Sequence, residues 1–274
     1  MRTVSDRGLE MQQLALPTVT LCAAASVNVN ATIEALTICL RKVDFAECLL
    51  FTDADVGNFH PSVRVIRIGR IRSAREYSFF VLKMLHEYIE TQHCLLVQWD
   101  GFVTDANSWR SDFLAFDYIG APWPQFPDGL NVGNGGFSLR SRKLLDACAD
   151  GRFRASHPED LAICHANRSF LESEFDIRFA DVSVAEQFAF ERTSPSAPTF
   201  GFHGIFNLIS VLGLDQFWAL YRILDDRGTV RADYGLMMRQ LGVGPTALTR
   251  QFRLTTDMMK LMLRRNDFGA GQAT

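Results

Sequence analysis

Apolar positions along the first hundred residues fall into two rhythms. Continuous apolar runs occur at Thr18-Val19-Thr20-Leu21-Cys22-Ala23-Ala24-Ala25, at Cys48-Leu49-Leu50-Phe51-Thr52-Asp53 and over 94–99. Runs of this kind predict strands buried on both faces of a sheet. Val63-Arg64-Val65-Ile66-Arg67-Ile68 alternates and predicts a further strand. Between the runs the spacing becomes helical. Residues 31–42 carry Ile33, Leu36, Thr37 and Leu40, and residues 76–90 turn Phe79, Phe80, Leu82, Leu85, Tyr88 and Ile89 inward. Strand, helix, strand, strand, helix, strand predicts an α/β fold with a mixed, mainly parallel sheet flanked by helices. Ligands of such sheets bind beyond the carboxyl ends of the strands, where Asp53 and Asp100 both stand.

The second half changes pattern. Glycine and proline cluster between 120 and 136 and predict tight loops. A strand is expected at 137–140, a short helix at 143–149, and a helix opening at Pro158-Glu159-Asp160 and running to about 170. A late strand is expected at 177–180 and a short element at 187–190. From 207 onward the spacing is helical, over 207–226, 230–241 and 245–265, with breaks at Gly242 and Gly244-Pro245. The organisation expected is a polar lead-in at 1–16, one α/β domain at 17–206 and a helical C-terminal extension at 207–274.

Composition narrows the picture. The 274 residues are 47% apolar and 22% charged, with a net charge of −3. That balance argues against bulk electrostatic affinity for nucleic acid. No apolar run is long enough to span a bilayer, and the N-terminus lacks the apolar core of a signal peptide. The six cysteines form no CxxC pair, so buried free thiols in a reducing, cytoplasmic setting are expected. The last helix carries Arg250, Arg253, Lys260, Arg264 and Arg265 among Leu and Met. Two readings fit it: a solvated face, or contact with an anionic membrane surface or a partner.

Four places carry candidate chemistry. Leu95-Leu96-Val97-Gln98-Trp99-Asp100-Gly101 ends a buried strand on one carboxylate followed by glycine. A carboxylate there suits a divalent cation whose shell is completed by phosphate and water, or it caps a loop. Gly133-Asn134-Gly135-Gly136 lets backbone approach a ligand closely, or is a plain loop; no Lys-Ser/Thr follows it, so it is not a P-loop. Glu159-Asp160 either complements a helix dipole or supplies a general base. His203, in Phe200-Gly201-Phe202-His203-Gly204, is a structural histidine or a cation ligand.

Taken in order, these segments resemble the GT-A (Rossmann-like) class of nucleotide-sugar-dependent glycosyltransferases. Gln98-Trp99-Asp100-Gly101-Phe102-Val103, Asp117-Tyr118-Ile119-Gly120-Ala121-Pro122-Trp123 and Gly133 through Arg140 look more narrowly like a family of bacterial and eukaryotic GT-A-like proteins. The resemblance covers about residues 18–207. It implies transfer of a sugar from a nucleotide-diphospho sugar to an acceptor hydroxyl of a glycan or glycoconjugate. It also implies an inverting reaction assisted by Mn²⁺ or Mg²⁺. Asp100 falls where the last acid of the Asp-x-Asp motif binds the metal, and Gln98 replaces the first acid, which departs from the pattern. His203 matches the late histidine that completes metal or diphosphate binding. Asp160 matches the candidate base, with Glu159 as acceptor contact or alternate base. Asn134, Gly135 and Gly136 line the donor pocket together with Gln98 and Trp99. Ala23, Ala24 and Asp53 lie where nucleotide base and ribose are held, and Trp123 where an acceptor sugar stacks. The missing first acid leaves a non-catalytic nucleotide- or carbohydrate-binding protein as the alternative. For the C-terminal helices three alternatives stand open: peripheral contact with membrane-borne acceptors at the inner face of a membrane, packing on the domain, or homodimer formation.

Overall fold

The computed structural model describes residues 13–269, with side chains described through Leu263. Arg264 and Arg265 therefore lie outside the described side chains, and most of the 1–16 lead-in lies outside the described residues. Strand β1 (Leu14–Ala24) starts four residues before the predicted run and has a register shift against β2 near Pro17, where proline has no N–H to donate. Helix α1 (Val29–Lys42) leads directly into β2 (Val43–Thr52), followed by β3 (Val63–Arg67). Helix α2 (Ala74–Lys83) is capped by Ser73, whose side chain accepts from the Glu76 amide. The single helix expected over 76–90 breaks at Met84 into a separate turn at 85–88, and Phe79, expected inward, is 55% exposed.

β4 (His93–Val97), β5 (Tyr118–Ile119) and β6 (Phe137–Ser141) complete one six-stranded sheet in the order β3-β2-β1-β4-β6-β5. The first four strands are parallel, and β6 runs antiparallel to both β4 and β5. This is the mixed, mostly parallel, helix-flanked sheet expected from the sequence. Its two faces follow from side-chain alternation. Leu21, Leu50 and Leu95 point into one core, which also contains Leu36 of α1. Their neighbours Cys22, Leu49 and Leu96 point into the other, against Phe80 and Val81 of α2. All six cysteines are buried and free. β1 has β2 on one side and β4 on the other, so the connections switch direction there, and a crevice opens at the strands' carboxyl ends.

Downstream come α3 (Arg142–Ala149) and α4 (Glu159–Leu161), which runs through a wide π-type turn into α5 (Arg168–Phe175). The strand expected at 177–180 is not formed. Phe179 makes only an isolated bridge with Tyr118. Among the elements that escape the sequence reading are β5 and helix α6 (Val182–Phe188). β7 (Ala189–Phe190) and β8 (Gly201–Phe202) form a small parallel pair. The helix expected at 207–226 is split at Gly213 into α7 (Leu208–Leu212) and α8 (Leu214–Ile223). Gly213 adopts a positive φ of 79°, a conformation that ends a helix. α9 (Tyr234–Leu241) and α10 (Ala247–Gly269) follow.

These C-terminal helices do not form a separate core. Phe217, Tyr221, Met237, Leu254 and Met258 belong to the same buried cluster as Leu21 and Leu95. Asn28, in the left-handed region ahead of α1, clasps the other end of the chain. Its carboxamide oxygen accepts from the Asp225 and Asp226 amides at 2.8 and 2.9 Å, and its nitrogen donates to Asp226 O at 2.8 Å. Among the described residues no helix is long and apolar enough to cross a membrane.

Candidate active site

The buried strand β4 delivers Gln98, Trp99 and Asp100 to the carboxyl edge of the sheet. Gln98 N donates to Gly136 O at 2.9 Å, which carries the β4–β6 pairing past the strand ends. Gly101 N closes a turn onto Gln98 O at 3.0 Å, and Gly204 N donates to Asp100 O at 2.9 Å. Three separate segments thereby meet: the end of β4, the loop before β6 and the loop after β8.

Glycine is required where they meet. A Cβ on Gly136 would stand 2.0 Å from His203 Nε2, and one on Gly135 would stand 2.0 Å from Glu159 Oε1. A Cβ on Gly101 would meet Gly136 O at 2.9 Å. Asn134 adopts φ 72°, a left-handed conformation that asparagine tolerates. Its side-chain oxygen accepts from Gly136 N at 2.9 Å, an Asx turn that fixes the loop.

Two groups of charged side chains face this junction. Asp100 is buried, and its Oδ1 lies 3.4 Å from Nε2 of His203. The other ring nitrogen, Nδ1, lies 3.2 Å from Glu191 Oε1. Burial opposes charge on His203, but the Asp100 and Glu191 carboxylates on its two sides outweigh it and push its pKa up to about 10. Nε2 is buried and has no hydrogen-bond partner. With Nδ1 oriented by a carboxylate, Nε2 is free to face either a proton shared with Asp100 or a cation.

The second group is Glu159 and Asp160 at the start of α4. Asp160 is oriented by two backbone donors, Leu161 N at 2.8 Å to Oδ1 and Gly135 N at 3.0 Å to Oδ2. Glu159 is buried. Ser78 Oγ donates to its Oε2 at 3.3 Å, and Arg140 Nη2 lies 3.4 Å from its Oε1. Burial pushes the Glu159 carboxyl above its usual range, the Arg140 guanidinium opposes the rise, and Asp160 adds to it. Arg140 is fully buried, with its Nε on Ser138 Oγ at 2.9 Å and its guanidinium 5.5 Å from the centre of the Tyr118 ring.

Gln98, Asn134, Gly135, Gly136, Glu159, Asp160 and His203 all line one cavity of about 600 Å³, with Trp123 in its wall. The structure thus brings together the acids, the glycine loop and the histidine predicted from separate parts of the sequence. Asp100 stands directly behind, against His203. Trp123 is almost fully buried, packed over Gly133 and beside Phe126, so little of its ring is free for stacking. Trp99 faces away into a second cavity of about 900 Å³ beside α1 and α8. Ala23 is enclosed in the core, and neither Ala24 nor Asp53 lines the 600 Å³ cavity. Asp53 stays at the end of β2, where Ser26, then Arg70 and Arg67, hold its carboxyl below its ordinary value.

Sequence reasoning missed Glu191 and Arg192, which line the same cavity, and assigned no role to Arg140. The structure explains how Glu191 comes to face the cavity. In the extended dipeptide Phe190-Glu191 the phenylalanine lines the larger cavity, so the glutamate, pointing the opposite way, faces this one. Among the described residues no cluster of three or more acidic, histidine or cysteine side chains is arranged to cage a metal. Asp100 and His203 present a two-donor edge instead.

A family model described as "Protein of unknown function (DUF5672)" matches residues 62–203, just over half of the chain. No curated protein sequence matches. Three solved structures are distantly similar in chain trace. An active-site mutant of LgtC aligns at 15% identity and TM-score 0.45, over 77% of this chain and 99% of its own. The galactosyltransferase LgtC in complex with donor and acceptor sugar analogs aligns at 14% identity and TM-score 0.41, over 78% and 99%. The mannosyltransferase PcManGT from Pyrobaculum calidifontis, in complex with GDP-Man and Mn²⁺, aligns at 11% identity and TM-score 0.43, over 95% and 83%.

Proposed function

We propose, for a chain that belongs to the family described as "Protein of unknown function (DUF5672)", that it transfers a sugar from a nucleotide-diphospho sugar to an acceptor hydroxyl. One observation carries the reading: His203, backed by Asp100, and the carboxylate pair Glu159-Asp160 meet at a single cavity at the carboxyl end of a mainly parallel sheet. The motif resemblance to GT-A enzymes supports it independently.

In this reading Asp160, held in place by two backbone amides, takes the proton from the acceptor hydroxyl, with Glu159 as acceptor contact or alternate base. Displacement from the opposite side of the anomeric carbon inverts its configuration. Asp100 and His203 would hold Mn²⁺ or Mg²⁺. Nε2 faces Asp100 at 3.4 Å with Nδ1 fixed by Glu191, and would act as a donor to the cation on giving up the proton it shares with Asp100. When bound, the cation neutralises charge on the departing diphosphate. Arg192 also opens on this cavity, its guanidinium held by a bidentate pair with Asp233. Gln98 offers an amide where the motif has an acid and serves the donor's hydroxyl groups. Asn134, Gly135 and Gly136 form the donor floor. Six buried thiols suit a reducing, cytoplasmic compartment.

The test is a thermal-shift panel of nucleotide sugars with and without Mn²⁺, followed by a transfer assay on the donors that bind. Mn²⁺-dependent stabilisation and turnover that disappear together in Asp100→Asn support transfer. The two-donor edge, without a third protein ligand, favours a second reading as a binding protein on the same fold. Donor binding without turnover across a broad acceptor panel would establish that reading instead.

A further inference from the structure

Helix α10 presents an apolar stripe to solvent. Leu248, Phe252, Met259, Met262 and Leu263 are between 53% and 81% exposed. At 100° per residue they fall on one side of the helix, within an arc of about 100°. The opposite side is locked to the body of the protein. Leu254 and Met258 lie in the main core. Asp257 accepts from Tyr221 Oη at 3.1 Å and Arg253 Nε at 3.0 Å. Arg250 is buried and bonds Leu241 O, Val243 O and Thr246 Oγ1. The helix therefore cannot roll to hide the stripe without breaking a buried polar network.

We propose that this stripe seats the protein on an anionic lipid surface, with α10 lying in the plane of the interface. Charge selects this occupant. Over residues 247–263 the exposed charged side chains are Arg253 and Lys260, both basic and on the same flank of the stripe. An apolar face rimmed by cations suits anionic headgroups above an acyl boundary. A second copy paired antiparallel through α10 is a poorer match, because that arrangement brings the two basic rims to the same side. The helix is too polar to cross the bilayer, so it lies on the surface. The inference stands apart from the proposed reaction.

The experiment is co-sedimentation of the full chain with vesicles of phosphatidylcholine alone and of phosphatidylcholine with phosphatidylglycerol, alongside light scattering without lipid. Wild type binds the anionic vesicles and is monomeric without lipid. Phe252→Ser and Leu263→Ser each weaken partitioning about tenfold or more, with an unchanged thermal midpoint because both positions are exposed. Lys260→Gln weakens binding to anionic vesicles about fivefold and leaves the neutral ones unaffected. Wild type that fails to bind anionic vesicles overturns the proposal. So does a lipid-free dimer that Phe252→Ser dissociates, which would assign the stripe to a second copy.

Discussion

His203 stands between two carboxylates, with Nε2 3.4 Å from Asp100 and Nδ1 3.2 Å from Glu191. This relationship joins the end of β4 to the short β7–β8 pair and makes the protonation of one ring a property of three segments. Because the folded pKa of His203 is raised, to about 10, its contribution to stability is fully present below the unfolded value of about 6.5 and is lost as pH rises through about 10. In chelator, denaturation of wild type and His203→Gln across pH will show a gap that narrows over that window. In Glu191→Gln the upper edge of the window will move to lower pH.

The buried pair of Arg140 and Glu159 responds asymmetrically to mutation. Arg140→Met leaves a buried carboxyl facing an apolar group, and loss of one partner of a buried ion pair costs ~3–5 kcal/mol. The double variant Arg140→Met/Glu159→Gln will recover much of that loss in urea denaturation, because no uncompensated charge remains.

Gly136→Ala places a methyl group 2.0 Å from His203 Nε2. Forced overpacking of this kind costs ~1–3 kcal/mol. The larger effect will be functional: the imidazole must move, and Mn²⁺-dependent stabilisation by a nucleotide sugar will disappear. Calorimetric titration of the donor into the variant checks this.

Asp160→Asn keeps the size of the side chain and one acceptor oxygen, so it can keep only one of the two bonds from Gly135 N and Leu161 N, and it cannot take a proton. Turnover will fall by about 10²–10⁴ with donor affinity preserved, as measured by steady-state kinetics beside donor titration. Asp100→Asn will show the contrasting signature, with donor affinity lost in the presence of metal.

The parallel half of the sheet was legible because strands buried on both faces are written as unbroken apolar runs, such as Leu49–Phe51 and Leu95–Val97. Elements held by tertiary contact were not. β5 is two residues long and exists because Tyr118 and Ile119 pair with Arg140 and Leu139. Residues 177–180 look equally strand-like but have a pairing partner only at Tyr118. In the site, Asp100, the glycine loop, Glu159-Asp160 and His203 were visible because each breaks its local pattern. Glu191 was not, since its meaning depends on a ring twelve residues away. Arg140 reads as the charged end of a strand, and only packing reveals it as a buried counter-charge.

The clasp made by Asn28 has a consequence for dissecting the molecule. A stop codon placed after residue 206 would look, on the sequence, like a cut between a catalytic unit and an appendage. It would instead remove the backbone that Asn28 grips and strip Phe217, Tyr221 and Leu254 from the core that covers the sheet. The fragment would carry every candidate catalytic side chain and still be an open-faced protein. The turn between β1 and α1 is thus pinned from both halves of the chain, by Phe51 and Ile71 on one side and by Asp225 and Asp226 on the other.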